Sequence, residues 1–404
     1  MHNLILFDDD IRTQLLPLTY TRPVAEIRIG ILTIKEKWEK WLGVNASYIT
    51  QDYLSTKYPM QVARTNWVVN ASVLPTARLS NIIADLELNE AVLLDGELIA
   101  TKLDDAALKN LLEEKDIDQI KGYELEGADV KRITQLADLT RYNEEELISD
   151  YEMVCSDRKS ASIPSHVRVT ERSSIFIEPG ARLGHCILNA TDGPIYIGAD
   201  AQIADGAILQ GCVSIGAGSK VKMAARIAGP TTIGPVCSVG GEISRSIMIG
   251  YSNKGHDGFL GDSVLGEWCN LGADTNNSNL KNNYAEVRLW NYAEERFVPT
   301  GQQFVGLFMG DHSKCGINTM WNTGTVVGVS ANVYGGGYQK NFVPSFSWGG
   351  PPAGLKTYKL DKALEVAEIV MARRDLELGK LDRSILSAVY ERSAAYRSWE
   401  KANP

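Results

Sequence analysis

Long apolar runs are missing from this chain of 404 residues, and with them any stretch able to cross a bilayer as a helix. The opening, MHNLILFDDD, reaches three aspartates after four consecutive apolar residues, which leaves no basic segment or extended apolar core of a secretion signal. A cytoplasmic location is the expectation. Cysteine is sparse: the six (Cys155, Cys186, Cys212, Cys237, Cys269 and Cys315) include no CxxC pair. A disulfide framework or thiolate metal site is therefore not indicated, and small buried core thiols are. Positive charge is short as well, 41 Lys and Arg against 50 Asp and Glu, for a formal charge of -9. Such a field repels nucleic acid and anionic membranes, so neither is an expected partner, and an anionic substrate requires local basic residues. What is present is ample apolar material, 44% of the residues, enough at this length for two or three domains.

A repeat decides the architecture of the middle of the chain. Every sixth residue from Ile197 is apolar, through Ile203, Leu209, Ile215, Val221, Ile227 and Ile233 to Val239. The next position is usually small, as at Gly198, Ala204, Gly216, Ala228, Gly234 and Gly240. A triangular coil that turns a corner every six residues needs one apolar side chain pointing into a narrow shared interior and a small neighbour that lets the backbone turn. The pattern begins near Ile177 and Leu183, pauses at 189–196, resumes as Leu260, Leu265 and Leu271, and ends in Met309, Cys315, Trp321, Val327 and Val333. Stacked coils bury what a single coil cannot, and period-two alternation of ordinary sandwich strands is not seen. The expectation is a left-handed parallel β-helix over 158–350. It carries an inserted loop at 276–303, placed to reach over a site or a neighbouring subunit. After Pro351 and Pro352 the pattern turns helical, so residues 351–404 are expected as C-terminal helices.

Residues 1–157 mix short strands (LILF, WVVN, AVLL) with helical stretches (GILTIKEKWEKWL, DDAALKNLLEEK), an α/β reading. The segment Arg12-Thr13-Gln14-Leu15-Leu16-Pro17-Leu18-Thr19-Tyr20-Thr21-Arg22-Pro23-Val24 resembles the opening motif of sugar-1-phosphate nucleotidyltransferases, GTRLxPLTxxRPK after a Gly-rich loop. The resemblance implies a Rossmann-like fold, and the departures from it imply lost chemistry. Phe7-Asp8-Asp9-Asp10-Ile11-Arg12 replaces the glycines that would admit phosphates, Val24 stands at the catalytic lysine, and Ser72 stands at the Mg²⁺-binding aspartate. A degenerate domain is the first expectation. The alternative is a rearranged Mg²⁺ site on Asp8, Asp9 and Asp10, with Arg12 and Arg22 on phosphates; acidic runs are otherwise solvated faces or caps.

Farther along, Asn253-Lys254-Gly255-His256-Asp257-Gly258-Phe259-Leu260-Gly261-Asp262 precedes Leu265-Gly266-Glu267-Trp268-Cys269-Asn270-Leu271-Gly272-Ala273-Asp274-Thr275 and Ser278-Asn279. This stretch is similar to the acetyltransferase half of the bifunctional N-acetylglucosamine-1-phosphate uridyltransferase/glucosamine-1-phosphate acetyltransferase family. The shortened coil between Leu260 and Leu265 recurs in that family. The resemblance implies His256 as general base, a task that suits imidazole because it ordinarily titrates near neutral pH. By the same resemblance Arg226 and Arg245 would hold a substrate phosphate, Glu242 an amine and Asn270 the sugar, while Ala273 and Asn279 would contact coenzyme A or the sugar. Leu280 replaces the family's tyrosine.

The expected function is acyl transfer from acetyl- or another acyl-coenzyme A to an amino or hydroxy sugar phosphate or nucleotide sugar, in a homotrimer, with Mg²⁺ needed only if the N-terminal domain is active. Two alternatives stay open: sugar-1-phosphate nucleotidyl transfer, alone or with acylation, and a non-catalytic sugar-nucleotide sensor or scaffold. A metal-dependent hydratase on the same repeat would need three histidines that meet, whereas His185, His256 and His312 fall in unrelated coils.

Overall fold

The computed structural model describes residues 2–113, 120–126 and 130–401. Two compact units emerge, one of Met1–Leu15, Arg22–Ile27 and Leu32–Thr134, the other of Leu16–Thr21, Arg28–Ile31 and Gln135–Pro404. No helix among the described residues is long and apolar enough to cross a membrane.

The first unit is an α/β layer. Strand His2–Phe7 pairs in parallel with Ala46–Ile49 on one side and Thr65–Asn70 on the other. The sheet continues through antiparallel Glu97–Asp104 to Glu90–Leu94 and Lys121–Glu124. Leu4, Ile5 and Leu6 are all buried, as expected where both faces of parallel strands are covered. The helix read from Gly30 onward begins only at Ile34. Thr33 and Glu36 form a capping box there, each side chain accepting the other's backbone N–H, and Gly43 ends the helix at φ 67°. Trp38 on its buried face donates its indole N–H to the Val73 carbonyl at 2.9 Å. Asp104 caps the helix Asp105–Leu112; the rest of DDAALKNLLEEK runs into residues 114–119, outside those described.

The second unit carries the parallel β-helix that the hexads foretold, with three walls. Wall A runs from Arg168–Thr170 to Phe259–Gly261 in six strands, wall B from Ile175–Ile177 to Phe342–Val343 in nine, and wall C from Arg182–Leu183 to Gly354–Thr357 in ten. The hexad residues form the interior: Ile203, Leu209, Ile215, Val221, Ile227, Ile233 and Val239 are each at most 2% exposed. Where the count of six falters, the coil tightens instead of breaking. Ile243 stacks under Ile227, Met248 under Ile233 and Lys254 under Val239. The interior column of wall C thus runs Ile203, Val221, Val239, Lys254, with a lysine where every earlier coil has an aliphatic residue.

The corner between walls B and C repeats a left-handed backbone residue in successive coils: Val236, Tyr251, Trp268, His312, Ser330 and Phe346 have φ of 56°, 52°, 63°, 60°, 53° and 55°. Side chains with a Cβ pay strain there. Stacking of Tyr251 on Trp268 at 4.4 Å and of Trp268 on His312 at 6.2 Å offsets part of it.

The helix Leu136–Cys155 belongs to this unit. Its buried Asn143 accepts from Gly30 N–H and Thr232 Oγ1, and its Asp150 accepts from Ile31 N–H. The 276–303 insertion does not hang free. Its hairpin of Arg288–Asn291 and Arg296–Pro299 stacks Trp290 on Phe342 at 4.2 Å, and Tyr292 meets Tyr396 edge-on at 5.1 Å. The hairpin thus packs on the lower coils of its own chain, while Tyr284 on the same insertion is exposed. The expected C-terminal helices are Leu360–Ala372, Lys380–Arg392 and Ser398–Lys401.

Candidate functional site

Wall C turns a polar face outward, since its residues alternate with the interior column. Lys220, Ser238, Asn253, Asn270 and Lys314 follow one another down that face in strand register. The C-terminal end of helix Leu360–Ala372 crosses it and encloses a cleft of about 1000 Å³. Arg374 Nη2 ties the helix end to Asn253 Oδ1 at 3.1 Å. Basic residues concentrate here: Lys220, Lys222, Lys314, Arg373 and Arg374 line the cleft, with Asp375 as the acidic side chain among the lining residues. Burial pushes the Lys314 ammonium below its ordinary value, and Lys314 donates to the His312 carbonyl at 2.9 Å. In a chain of net negative charge, this is the local cationic concentration that an anionic substrate requires.

His256 stands at one edge of the cleft, on the exposed turn between walls C and A, with Asn270 and Ala273 lining the same space. Its imidazole faces solvent rather than a protein partner among the described residues, so it is free to meet a substrate. From inside the turn, Lys254 Nζ donates to the main-chain carbonyls of His256 at 2.6 Å and Gly240 at 3.1 Å.

The other expected substrate residues lie elsewhere. Arg226 and Glu242 are cross-strand neighbours on wall A, paired at 3.0 Å and both exposed, around the corner from the cleft. Arg245 and Asn279 gather at the far end of wall A. Arg245 holds Asp262 through two bonds of 2.7 and 2.8 Å, Asn279 donates to the same carboxylate at 2.6 Å, and the Arg245 guanidinium lies 4.9 Å over Phe304. The Asp262 partner pushes the Arg245 pKa further up. The structure therefore brings His256, Asn270 and Ala273 together and leaves Arg226, Glu242, Arg245 and Asn279 out of that cleft.

In the N-terminal unit Asp8 and Asp9 are taken up by their own surroundings, whereas Asp10 is exposed. Asp8, at the end of its strand, accepts from Val24 N–H at 2.9 Å and Thr50 Oγ1 at 2.6 Å, and burial raises its pKa. Asp9 accepts from Ile11 N–H, Asn70 Nδ2 and the Arg132 guanidinium. Arg132 also donates to Ser72 Oγ at 2.9 Å and pairs with Glu97, so a guanidinium fills the place between Asp9 and Ser72. Arg12 donates to Tyr53 Oη at 2.6 Å and packs on its ring, and Arg22 and Val24 are buried. These residues do not fit a divalent cation: the Asp9 carboxylate is paired with the Arg132 guanidinium, and the buried Asp8 carboxylate already accepts from Val24 N–H and Thr50 Oγ1. No cluster of three or more metal-ligating side chains occurs among the described residues.

Residues 4–159 match the family described as sugar nucleotidyl transferase. A bifunctional protein GlmU of Synechococcus elongatus is 27% identical over 287 residues, 69% of this chain and 56% of the relative. The chain resembles the bifunctional GlmU proteins. It spans about half the length of that curated relative. A bifunctional sugar-1-phosphate nucleotidylyltransferase/acetyltransferase of Sulfurisphaera tokodaii is 34% identical over 95 residues, 24% of this chain and 23% of that one. Among solved structures, the UDP-N-acetylglucosamine acyltransferase of Arabidopsis overlaps 53% of this chain and 80% of its own at 13% identity, with a TM-score of 0.24, too loose to bear on function. The resemblance read from the two motifs is thus met by GlmU-like similarity of both parts of the chain.

Beside this GlmU-like pattern stand residues that the motifs did not flag. Arg373 and Arg374 sit on a helix remote in sequence, and Lys220, Lys222 and Lys314 join them only once the coils stack. Lys254 did leave a signal, because counting back six from Leu260 lands on it and breaks an apolar column.

Proposed function

We propose that the chain is an acyl-coenzyme-A-dependent acyltransferase acting on an amino or hydroxy sugar phosphate or nucleotide sugar, with its reaction centre in the wall C cleft. The observation that carries this reading is the placing of an exposed histidine, His256, at the edge of a cleft whose lining includes five lysines and arginines. The basic side chains suit the phosphates of both a coenzyme A thioester and a phosphorylated sugar. His256 takes the proton of the acceptor amine or hydroxyl as that atom attacks the thioester carbonyl. A C–N or C–O bond forms, the C–S bond breaks, and the proton is passed to the departing thiolate. Asn270 and Ala273 bound the acceptor beside it.

The functional division we propose gives acylation to residues 158–350, with the helices of 351–404 closing the cleft, and leaves 1–157 as a domain without turnover. A homotrimer suits an edge of the β-helix that exposes Met223, Ile317, Met320, Tyr334 and Tyr338; a cytoplasmic setting suits the thioester. Acetyl-coenzyme A is the first donor to try. The test is free-thiol release across a panel of amino-sugar phosphates and nucleotide sugars, for the native chain and His256→Ala. Turnover lost on substitution supports the reading, and no turnover with any acceptor counts against it.

A second reading, sugar-1-phosphate nucleotidyl transfer, is favoured by the family match over residues 4–159 and opposed by Arg132 between Asp9 and Ser72. Pyrophosphate release from a nucleoside triphosphate with a sugar phosphate decides it. If neither assay turns over and His256→Ala leaves the cellular role intact, a sugar-nucleotide sensor is the better account.

A further inference from the structure

The interior of a β-helix is a poor place for an ammonium group. Lys254 is 2% exposed, between an aliphatic coil above it and Leu271 on the next wall C strand below. A charge taken this far out of water costs several kcal/mol before its contacts offset any of it, and a leucine or methionine would occupy the position without that cost. Among Ile203, Val221, Val239 and Lys254 in the register of wall C, the lysine falls in the coil whose turn bears His256. Its two hydrogen bonds go to main-chain oxygens of the turn region, one of them the His256 carbonyl.

The turn has reason to need such a hold. Gly255 and Gly258 flank His256 and Asp257, and Gly258 takes φ 108°, a backbone region that side chains rarely adopt. A Cβ on Gly241 of the preceding coil would stand 2.8 Å from the His256 carbonyl oxygen, so that oxygen is packed closely against backbone. Glycine on both sides leaves the chain little torsional restraint of its own. The ammonium supplies it from within.

We infer that Lys254 is the positioning residue of the candidate site, fixing the His256 turn from inside the β-helix through the His256 carbonyl. The placing of the imidazole follows from the geometry alone; its catalytic weight rests on the acyl-transfer reading. Asp257 on the same turn, Asp274 on the next coil and Cys315 on the one beyond face the ammonium, and burial lowers its pKa to about 8 against them. The hold therefore weakens as pH rises through about 8.

The test is histidine NMR on the full chain, native, Lys254→Met and Lys254→Arg, with the His256 resonance assigned by its loss in His256→Gln. The expected result is a change of the native His256 resonance as Lys254 deprotonates near pH 8, absent in folded Lys254→Met, while the other four histidines are unmoved. In the thiol-release assay Lys254→Met lowers kcat at least tenfold with KM for donor and acceptor within twofold, and Lys254→Arg restores part of it. A His256 resonance identical in native and folded Lys254→Met protein overturns the inference. If Lys254→Met does not fold, a native His256 resonance that does not change as Lys254 deprotonates near pH 8 overturns it instead. Failure of the acyl-transfer reading shows separately, as His256→Ala turnover equal to native, and leaves the NMR outcome standing.

Discussion

Replacing Lys254 by methionine tests whether a charge is stored inside the β-helix, through stability and not turnover. Burial holds the folded-state pKa at about 8, against 10.5 for an ordinary lysine. Between those values the unfolded chain binds more protons than the folded one, so stability rises with pH across the window. Below about pH 8 the full penalty is present, and above 10.5 it is gone. A gap of this size corresponds to about 3 kcal/mol, and with 2% exposure solvent screening removes little of it. Methionine fills a similar volume and does not titrate. The difference in unfolding free energy between Lys254→Met and the native chain should therefore favour the variant at about pH 7. It should then shrink by about 2 kcal/mol by about pH 9.5, as native Lys254 sheds the penalty. Urea melts at several pH values, with all other groups common to both proteins, read this difference. A difference flat from pH 7 to 9.5, or one that grows with pH, would falsify the claim that a buried ammonium sits at position 254.

Four further outcomes follow from the same contacts. His256→Ala should cut thiol release by about 10²-fold or more and leave the melting temperature unchanged, because the side chain is exposed. Reversing charge with Arg373→Glu and Arg374→Glu together should raise KM for the acyl donor at least tenfold at low salt, with a smaller effect at high salt; equal KM would remove the cationic face from substrate binding. Asn143→Leu should cost about 2–4 kcal/mol in denaturant melts, since it takes the acceptor from the Gly30 N–H and the amide donor from the Pro230 carbonyl. Arg132→Met should destabilise the N-terminal unit by a few kcal/mol, leaving Asp9 and Ser72 without a shared donor; an unchanged unit would mean that the acidic run is solvated.

The interior of the β-helix was readable because one residue in six does one job, and the hexad residues from Ile197 to Val239 are each at most 2% exposed. The reading slipped where the spacing changed. Ile243, Met248 and Lys254 are set four, five and six residues apart, and only the stacked register shows that they continue the columns of Ile227, Ile233 and Val239. A motif singled out His256 as a candidate, but not the cleft beside it, because Lys220, Lys314, Arg373 and Arg374 converge through stacking and helix docking. Arg226, Glu242, Arg245 and Asn279 matched the motif residue by residue, yet a match in order says nothing about which corner of a triangular coil a residue occupies. Asp262 already holds two of them. The helix Leu136–Cys155 escaped notice for a simpler reason: its buried face carries Asp138, Asn143, Glu146 and Asp150, so apolar periodicity is weak where polar bonding does the packing.

The guanidinium of Arg132 ends its side chain between Asp9, Ser72 and Glu97. A dissociable counter-ion comes and goes with its concentration, whereas this one is covalently tethered and present at unit occupancy in every molecule. The charge balance of that pocket is in this way removed from the cell's ionic composition and written into the gene. The shape of this part of the domain is thereby held through changes of medium that would strip a bound ion.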